Sequence, residues 1–564
     1  MEKSVINKEN ILNLKFFKNK INQYKIDIFG IIIAIIIYLL FAAYFSKFIL
    51  DDAFISFRYS EHLANGKGLD WNFENDKYKN QGYSNFLWVI LISLFIKYID
   101  PIFLARLFSV LAGIGTFVTL NGINKYILLD EIKKYSSFFS IILACIPNFA
   151  IWTMGGLETI FFTFLIITGL YFWIKKNTTT SHNYVAQIFF SLAALTRLEG
   201  IIIFLTILFL QLIILMTDFK KFKNFKILIT KSFIFFISIG IYFLFCYLYY
   251  NQFLPNSFYA KYSTGITLIR INNIIYVLGF IYFFIVLFFF LSLDILIVLY
   301  FKIKKKIFEW KELHHIIIII SSLIIMTQIS PLMGYSFRFL IHLLPLLIIS
   351  VVRVINVLYA IIENLIKKFY KFQKLVKFLN IIFNRVVLIL LILTPICIHY
   401  QNLKSHYKRN TNNYNDIEWN YAIPLGKWLY GTFPSDTRIA ANDCGAIPYY
   451  SKMWTYDLYG LNSKEVIFEN FDMNYIKSLK IDIFILNSGS SKEFDSSGSH
   501  EKIHDSNYFQ NNYYLILIIK ADEKYYNLFI YIRNNFTLVE SDFIEIPSNW
   551  IVTLNFTNTM KMSL

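Results

Sequence analysis

The chain has 564 residues, of which 56% are hydrophobic, a mean hydropathy of +0.51 and a formal net charge of +17. So apolar a chain does not fold as one soluble domain, and several runs of about twenty apolar residues make it a polytopic α-helical membrane protein. Most of its lysines fall in short loops between those runs, as the positive-inside rule requires, so the expected partner of the charge is the lipid bilayer and not nucleic acid.

The first apolar run, Ile28 to Phe45, follows a basic leader containing Lys3, Lys8, Lys15, Lys18, Lys20 and Lys25. Its length suits a retained anchor with the amino terminus in the cytoplasm, not the roughly 7–15-residue core of a cleaved signal peptide. A polar segment follows, then Asn85 to Ile99. That run is marginal in length, and if it crossed, the basic loop at Lys125, Lys133 and Lys134 would fall outside. It is therefore read as an interface helix within a first outer loop spanning residues 46–101.

The second crossing is Ile102 to Gly122, and the rest alternate: Tyr135 to Trp152, Ile160 to Trp173, Tyr184 to Leu195, Ile201 to Met216, Ser232 to Tyr250, Ile274 to Phe301, His315 to Ile329, Phe339 to Ile361 and Val386 to His399. This makes about 11 transmembrane helices in a domain of residues 1–401, in the inner membrane, with the carboxyl end outside. From 402 the composition turns polar and mixed, with strands expected at Ile481 to Leu486, Tyr514 to Ile519 and Leu528 to Ile532. Residues 402–564 read as an extracytoplasmic α/β domain. Cys145, Cys246 and Cys397 lie in apolar runs and Cys444 in a polar region, which leaves no disulfide framework or thiolate metal cluster.

This topology places ionisable groups on one outer face. Asp51 and Asp52 stand where the first apolar run ends, with Arg58 and His62 close behind, and Arg58 and Glu199 are expected among the donor-phosphate and substrate-binding residues. A partly desolvated carboxylate countered by arginine is suited to general-base work. Glu158 and Glu199 lie at outer helix ends. Arg197, Lys261 and Arg338 are cations where the positive-inside rule disfavours them, and a phosphate at the outer leaflet accounts for them. His342, one turn beyond Arg338, reads as a packed histidine and not a metal ligand.

Several ordered stretches carry a resemblance. They are Asp51-Asp52-Ala53-Phe54-Ile55-Ser56-Phe57-Arg58-Tyr59, Gly82-Tyr83-Ser84-Asn85-Phe86-Leu87-Trp88, Gly155-Gly156-Leu157-Glu158-Thr159, Leu195-Thr196-Arg197-Leu198-Glu199-Gly200, Leu254-Pro255-Asn256-Ser257-Phe258-Tyr259-Ala260-Lys261, Arg338-Phe339-Leu340, Asn442-Asp443-Cys444-Gly445 and Asp457-Leu458-Tyr459-Gly460-Leu461. Together they resemble the GT-C superfamily of polyprenyl-phosphate-dependent membrane glycosyltransferases, and within it the terminal arabinofuranosyltransferase branch. The resemblance implies Asp51 or Asp52 as the catalytic acid/base, Glu158 as a second outer-loop acid near the donor, and Arg338, with Lys261 and Arg197, at the donor phosphate.

The expected activity is transfer of a hexosyl or pentosyl group from a polyprenyl-phosphate-linked sugar donor to a glycan, glycolipid or protein acceptor. A divalent cation, Mg2+ or Mn2+, bridging Asp52 or Glu158 to the phosphate is compatible with this, though no ligand spacing demands it. A transporter or flippase of lipid-linked sugars and a non-catalytic glycan-binding scaffold are the competing readings. A transport site would place its polar groups near the bilayer midplane, whereas these charges stand at helix ends.

Overall fold

The computed structural model describes residues 25–72, 79–175, 181–216, 223–263, 266–303, 313–329, 334–368, 418–468, 473–490, 493–496, 499–522, 526–534 and 536. The helical part opens with α1 (Lys25–Tyr44). It is apolar on every side, so Ala34, Tyr38 and Ala42 face the bundle at every fourth residue while Phe29, Ile36 and Leu40 remain exposed. Exposed apolar faces of this kind are what a lipid environment covers. The Tyr38 hydroxyl sits 2.7 Å from Thr153 Oγ1 and donates to the Ser109 carbonyl, which ties α1 to its neighbours.

Two short helices follow, α2 (Asp51–Ala64) and α3 (Phe86–Ser93), then the long α4 (Pro101–Ile127). Asp100 caps α4 by accepting from the Phe103 amide, and Pro101 stands at its first position, where the missing N–H costs nothing. At eight residues α3 is roughly 12 Å long, too short to cross a bilayer core of about 30 Å.

Then come α5 (Phe138–Ala144), α6 (Pro147–Met154), α7 (Thr159–Ile174), α8 (Ser181–Thr196), α9 (Glu199–Met216), α10 (Lys223–Tyr250), α11 (Asn256–Ser263), α12 (Ile266–Phe283), α13 (Ile285–Ile303), α14 (His314–Met326) and α15 (Leu343–Lys368). Among the described residues four helices are long and apolar enough to cross a membrane. The chain is a multi-pass membrane protein.

Two expected straight crossings are broken. The run from Tyr135 to Trp152 bends by 64° between α5 and α6. Ile146 is extended there and Pro147 starts a new helix, because a proline supplies no N–H to continue the old one and disfavours helical geometry in the residue before it. The run from Ile274 to Phe301 bends by 87° between α12 and α13. No proline stands at that break. Instead the Phe337 ring packs against Tyr276, Phe280, Phe283 and Phe284 and fills the corner. The expected crossing from Val386 to His399 lies outside the described residues.

The C-terminal domain carries a five-stranded sheet in the order β2-β1-β3-β5-β4, where β1 is Arg438–Ala441, β2 Trp454–Asp457, β3 Ile483–Ser488, β4 Tyr513–Asp522 and β5 Tyr526–Arg533. β1 runs parallel to both β2 and β3, and β5 is antiparallel to β3 and β4. The three strands expected from sequence are β3, β4 and β5. Alternation sets the two faces: Ile439, Ala441, Ile483 and Ile485 join the apolar core shared with the helical bundle, while Ala440, Phe484 and Leu486 face the domain's own helices.

Candidate functional site

One cavity of about 320 Å³ lies between the helical bundle and the C-terminal domain. Asp51, Asp52, Asn85, Glu158, Arg197, Glu199 and Arg338 line it from the bundle, and Asn442, Asp443, Cys444, Asp457 and Tyr459 from the C-terminal domain.

The wall is built from helix ends. The two aspartates occupy the first turn of α2, where carboxylates complement the unpaired amide groups. Gly156 has φ +80°, and a Cβ there would stand 2.8 Å from that of Ala53, so only glycine lets the 155–159 loop lie against α2. That loop delivers Glu158, buried at 3% exposure. Thr196 ends α8 and Glu199 begins α9, which leaves Arg197 in the short turn between them. Arg338 arrives on the tight turn Tyr335–Leu340 ahead of α15.

Glu158 is the hub. Its Oε2 accepts from Asn85 Nδ2 at 2.8 Å, and its Oε1 lies 3.4 Å from Arg197 Nη1 and 3.6 Å from Arg338 Nη2. Arg197 also reaches Glu199 Oε1 at 3.0 Å, and Arg338 Nη1 donates to Asp52 Oδ2 at 3.1 Å. Arg338 Nε is buried and has no hydrogen-bond partner among the described residues. A charged donor left over beside a cavity is unusual, since buried polar groups are nearly always paired.

Asp51 is held differently. Its Oδ1 accepts from the Ala446 amide at 2.7 Å, across 395 positions of sequence. Burial, and after it the facing Asp443 carboxylate, pushes the Asp51 carboxyl up, to about 8. Burial raises Asp443 too, while a hydrogen bond from Asn487 works against that rise. Glu418 is raised by burial and by Asp51, Asp443 and Asp52 around it. The corner where the two domains meet therefore collects acids that resist ionisation.

Of the expected site residues, Asp51, Asp52, Glu158, Arg197, Glu199 and Arg338 meet at this cavity. Arg58 does not. Its guanidinium donates to the carbonyls of Trp71, Pro448 and Met453 and to Asn72 Oδ1, and lies 4.5 Å over the Trp71 ring, so a substrate-binding role for it is replaced by a tie between α2 and the C-terminal domain. Lys261 stands on α11, and its side chain lies outside the described residues. His342 is packed, its Nε2 3.3 Å from Ser322 Oγ and its ring against Phe162.

The carboxylates named for a divalent cation, Asp52 and Glu158, are joined by Arg338, which a cation between them would have to displace. Among the described residues no group of three or more His, Cys, Asp and Glu side chains is disposed to hold a metal ion. Asn85, Asp443 and Glu418 were given no site role by sequence reasoning. The signals available for the first two were the Gly82-Tyr83-Ser84-Asn85 and Asn442-Asp443-Cys444-Gly445 stretches, which carried the resemblance but no chemistry of their own.

Residues 410–541 match a family described as a domain of unknown function (DUF8728). No curated protein matches the chain by sequence. Solved structures do match by shape. ArnT from Cupriavidus metallidurans bound to undecaprenyl phosphate superposes with a TM-score of 0.56 at 10% identity, covering 90% of this chain and 98% of that one. The same protein in the apo state gives 0.54 at 10% identity, covering 89% and 97%. The archaeal oligosaccharyltransferase AglB from Archaeoglobus fulgidus, in complex with an inhibitory peptide and a dolichol-phosphate, gives 0.51 at 11% identity, covering 95% and 76%. Neither protein singles out the terminal arabinofuranosyltransferase branch. In fold the chain is similar to these two proteins, and the fold is the level these comparisons reach.

Proposed function

We propose that the protein transfers a sugar from a polyprenyl-phosphate donor to an envelope glycan, glycolipid or protein at the outer face of the inner membrane. Residues 1–401 form the transmembrane part, with the amino terminus inside, and 402–564 the extracytoplasmic domain. The observation that carries this reading is Arg338, a guanidinium suspended between Asp52 and Glu158 at the cavity with its Nε unpaired. A guanidinium at the cavity wall suits a phosphate, because its planar fork matches the phosphate oxygens. Arg197 stands next to it through the shared Glu158, and Lys261 is assigned as an assisting cation. Two proteins of the same fold have an undecaprenyl phosphate or a dolichol-phosphate bound, which supports a lipid phosphate here.

The donor's lipid lies among the apolar helices and its phosphate at Arg338. The acceptor hydroxyl attacks the anomeric carbon and gives its proton to an aspartate of the Asp51–Asp52 pair. The bond between that carbon and the phosphate oxygen breaks, its electron pair leaves on the phosphate, and the arginines stabilise the growing charge. Asp51 is the preferred base, because a carboxyl pushed toward neutral pH accepts a proton more readily than an ordinary one.

Purified protein given a polyprenyl-phosphate sugar and an acceptor tests the reading. Asp51→Asn or Asp52→Asn is expected to lower turnover by about 10²-fold or more, the usual worth of a general base. Arg338→Lys, which keeps the charge but loses the fork and Nε, should weaken donor use. Full transfer by both aspartate variants would remove the base assignment.

A further inference from the structure

We propose that the C-terminal domain is part of the catalytic centre, with Asp443 set opposite Asp51 and the Gly445–Ala446 backbone fixing where the Asp51 carboxylate points. This rests on the glycosyltransferase reading above. It assigns positioning roles to residues that no part of that reading used.

The sheet explains why this loop can reach the site. From β1 the chain goes to β2 on one side and then crosses to β3 on the other, with all three strands parallel. In open parallel sheets the place where the connection reverses direction leaves a crevice at the carboxyl ends of the strands, and ligands bind there. Asp443 lies two residues past the end of β1, and Asn487 on β3 donates to its Oδ2 at 3.3 Å. The crevice of the C-terminal domain therefore opens on the same cavity as Asp51 and Arg338.

Contact with Asp51 is close. A Cβ built on Gly445 would stand 2.1 Å from the Asp51 carbonyl oxygen and 2.3 Å from its Oδ1, so no other residue fits without moving that carboxylate. The next amide, Ala446, donates to the same Oδ1. Asp51 thus has its carboxylate aimed by a loop almost four hundred residues away. Facing it are Asp52 on its own helix, Asp443 and Cys444 on the loop after β1, and Glu418 on the helical turn Glu418–Ala422. The proton released by the acceptor hydroxyl passes to Asp51, and a neighbouring carboxylate makes Asp51 more avid for it.

Asp443→Asn keeps the size of the side chain and removes its charge. Gly445→Ala keeps Asp443 and displaces Asp51. Both are made in the full-length protein in detergent, and integrity is checked by melting temperature and by binding of undecaprenyl phosphate. Transfer from lipid-linked sugars extracted from the host membrane to its envelope glycan is then followed across pH.

Gly445→Ala should lower kcat by about 10²-fold, the loss expected for a misplaced general base, with KM for the donor unchanged. Asp443→Asn should move the rising limb of the rate profile to lower pH, because Asp51 then loses the like charge that holds its proton. A purely structural loop would lower the rate equally at every pH and leave the limb in place. Folded variants with near wild-type kcat and an unmoved limb would overturn this proposal and leave the glycosyltransferase reading standing. A wild-type protein that transfers nothing would overturn both.

Discussion

Glu418 shows what the acid corner costs at the scale of one residue. It is buried at 3% exposure, its Oε2 has no partner among the described residues, and three other carboxylates surround it. Its proton is therefore retained on folding, and the same holds for Asp51 up to about 8. An unburied carboxyl gives up its proton near pH 4, so between about 4 and 8 the folded protein binds more protons than the unfolded chain. Stability must then fall as pH rises across that window. Wild-type protein in detergent should melt at a lower temperature at pH 8 than at pH 5. Glu418→Gln, which mimics the protonated acid, should flatten that slope and raise the pH 8 melting temperature. An unchanged slope in a folded variant would mean that Glu418 is ionised in the native protein. The bundle acids and arginines were legible in sequence because they interrupt apolar runs, but Glu418 and Asp443 sit in a polar stretch where a carboxylate stands out from nothing. Arg58 is the converse case: it stands out close behind the two aspartates as their countercharge, while its guanidinium is spent on carbonyls that only the folded C-terminal domain supplies.

Among the elements, the turn that presents Arg338 is the least ordinary. Ser336 and Phe337 both have positive φ, 47° and 60°, inside Tyr335–Leu340. For residues other than glycine this left-handed conformation costs roughly 1–2 kcal/mol each. Packing holds it: the Ser336 carbonyl accepts from Asn148 and from the Trp152 indole on α6, and the Phe337 ring fills the corner between α12 and α13. The turn thus couples both bent helix pairs to the arginine at the cavity. Ser336→Gly should stabilise the protein by about 1 kcal/mol while leaving transfer intact, since glycine takes positive φ freely. Ser336→Val should lower both stability and transfer, because a β-branched residue fits that region worst. Equal melting temperatures for the two variants would show that the turn stores no strain. Hydropathy identified every apolar stretch involved, yet it carries no direction. A run long enough to cross reads the same whether it is straight or folded at a proline or an aromatic wedge.

For the whole molecule the question is what keeps the C-terminal domain seated, since the cavity needs both halves. An exposed ion pair between Lys452 and Glu61 contributes little in water. Arg58 contributes more. It is 2% exposed and donates to Pro448 and Met453 in the C-terminal domain and to Trp71 and Asn72 in the loop after α2. Around it the Trp71 indole and Asn72 amide both donate to the Thr455 carbonyl, so the loop after α2 is bonded along the edge strand β2. Arg58→Met fills a similar volume but takes the charged donor from the Pro448 and Met453 carbonyls, which keep only the Lys452 amide and the Thr455 hydroxyl, at roughly 1.5–3 kcal/mol for each charge-assisted bond lost. Because those carbonyls flank the loop that carries Gly445 and Ala446, loosening them frees the segment that aims Asp51. The variant should therefore show faster amide exchange from 446 to 457 and lower turnover, with undecaprenyl phosphate binding retained, since Arg338, Asp52 and Glu158 all belong to the bundle. Arg58→Lys should behave almost as badly, because one ammonium does not reach four acceptors spread over two chain segments. If exchange at 446–457 stays as slow as in the wild type while transfer is lost, Arg58 acts on the substrate after all and the tie between the domains lies elsewhere.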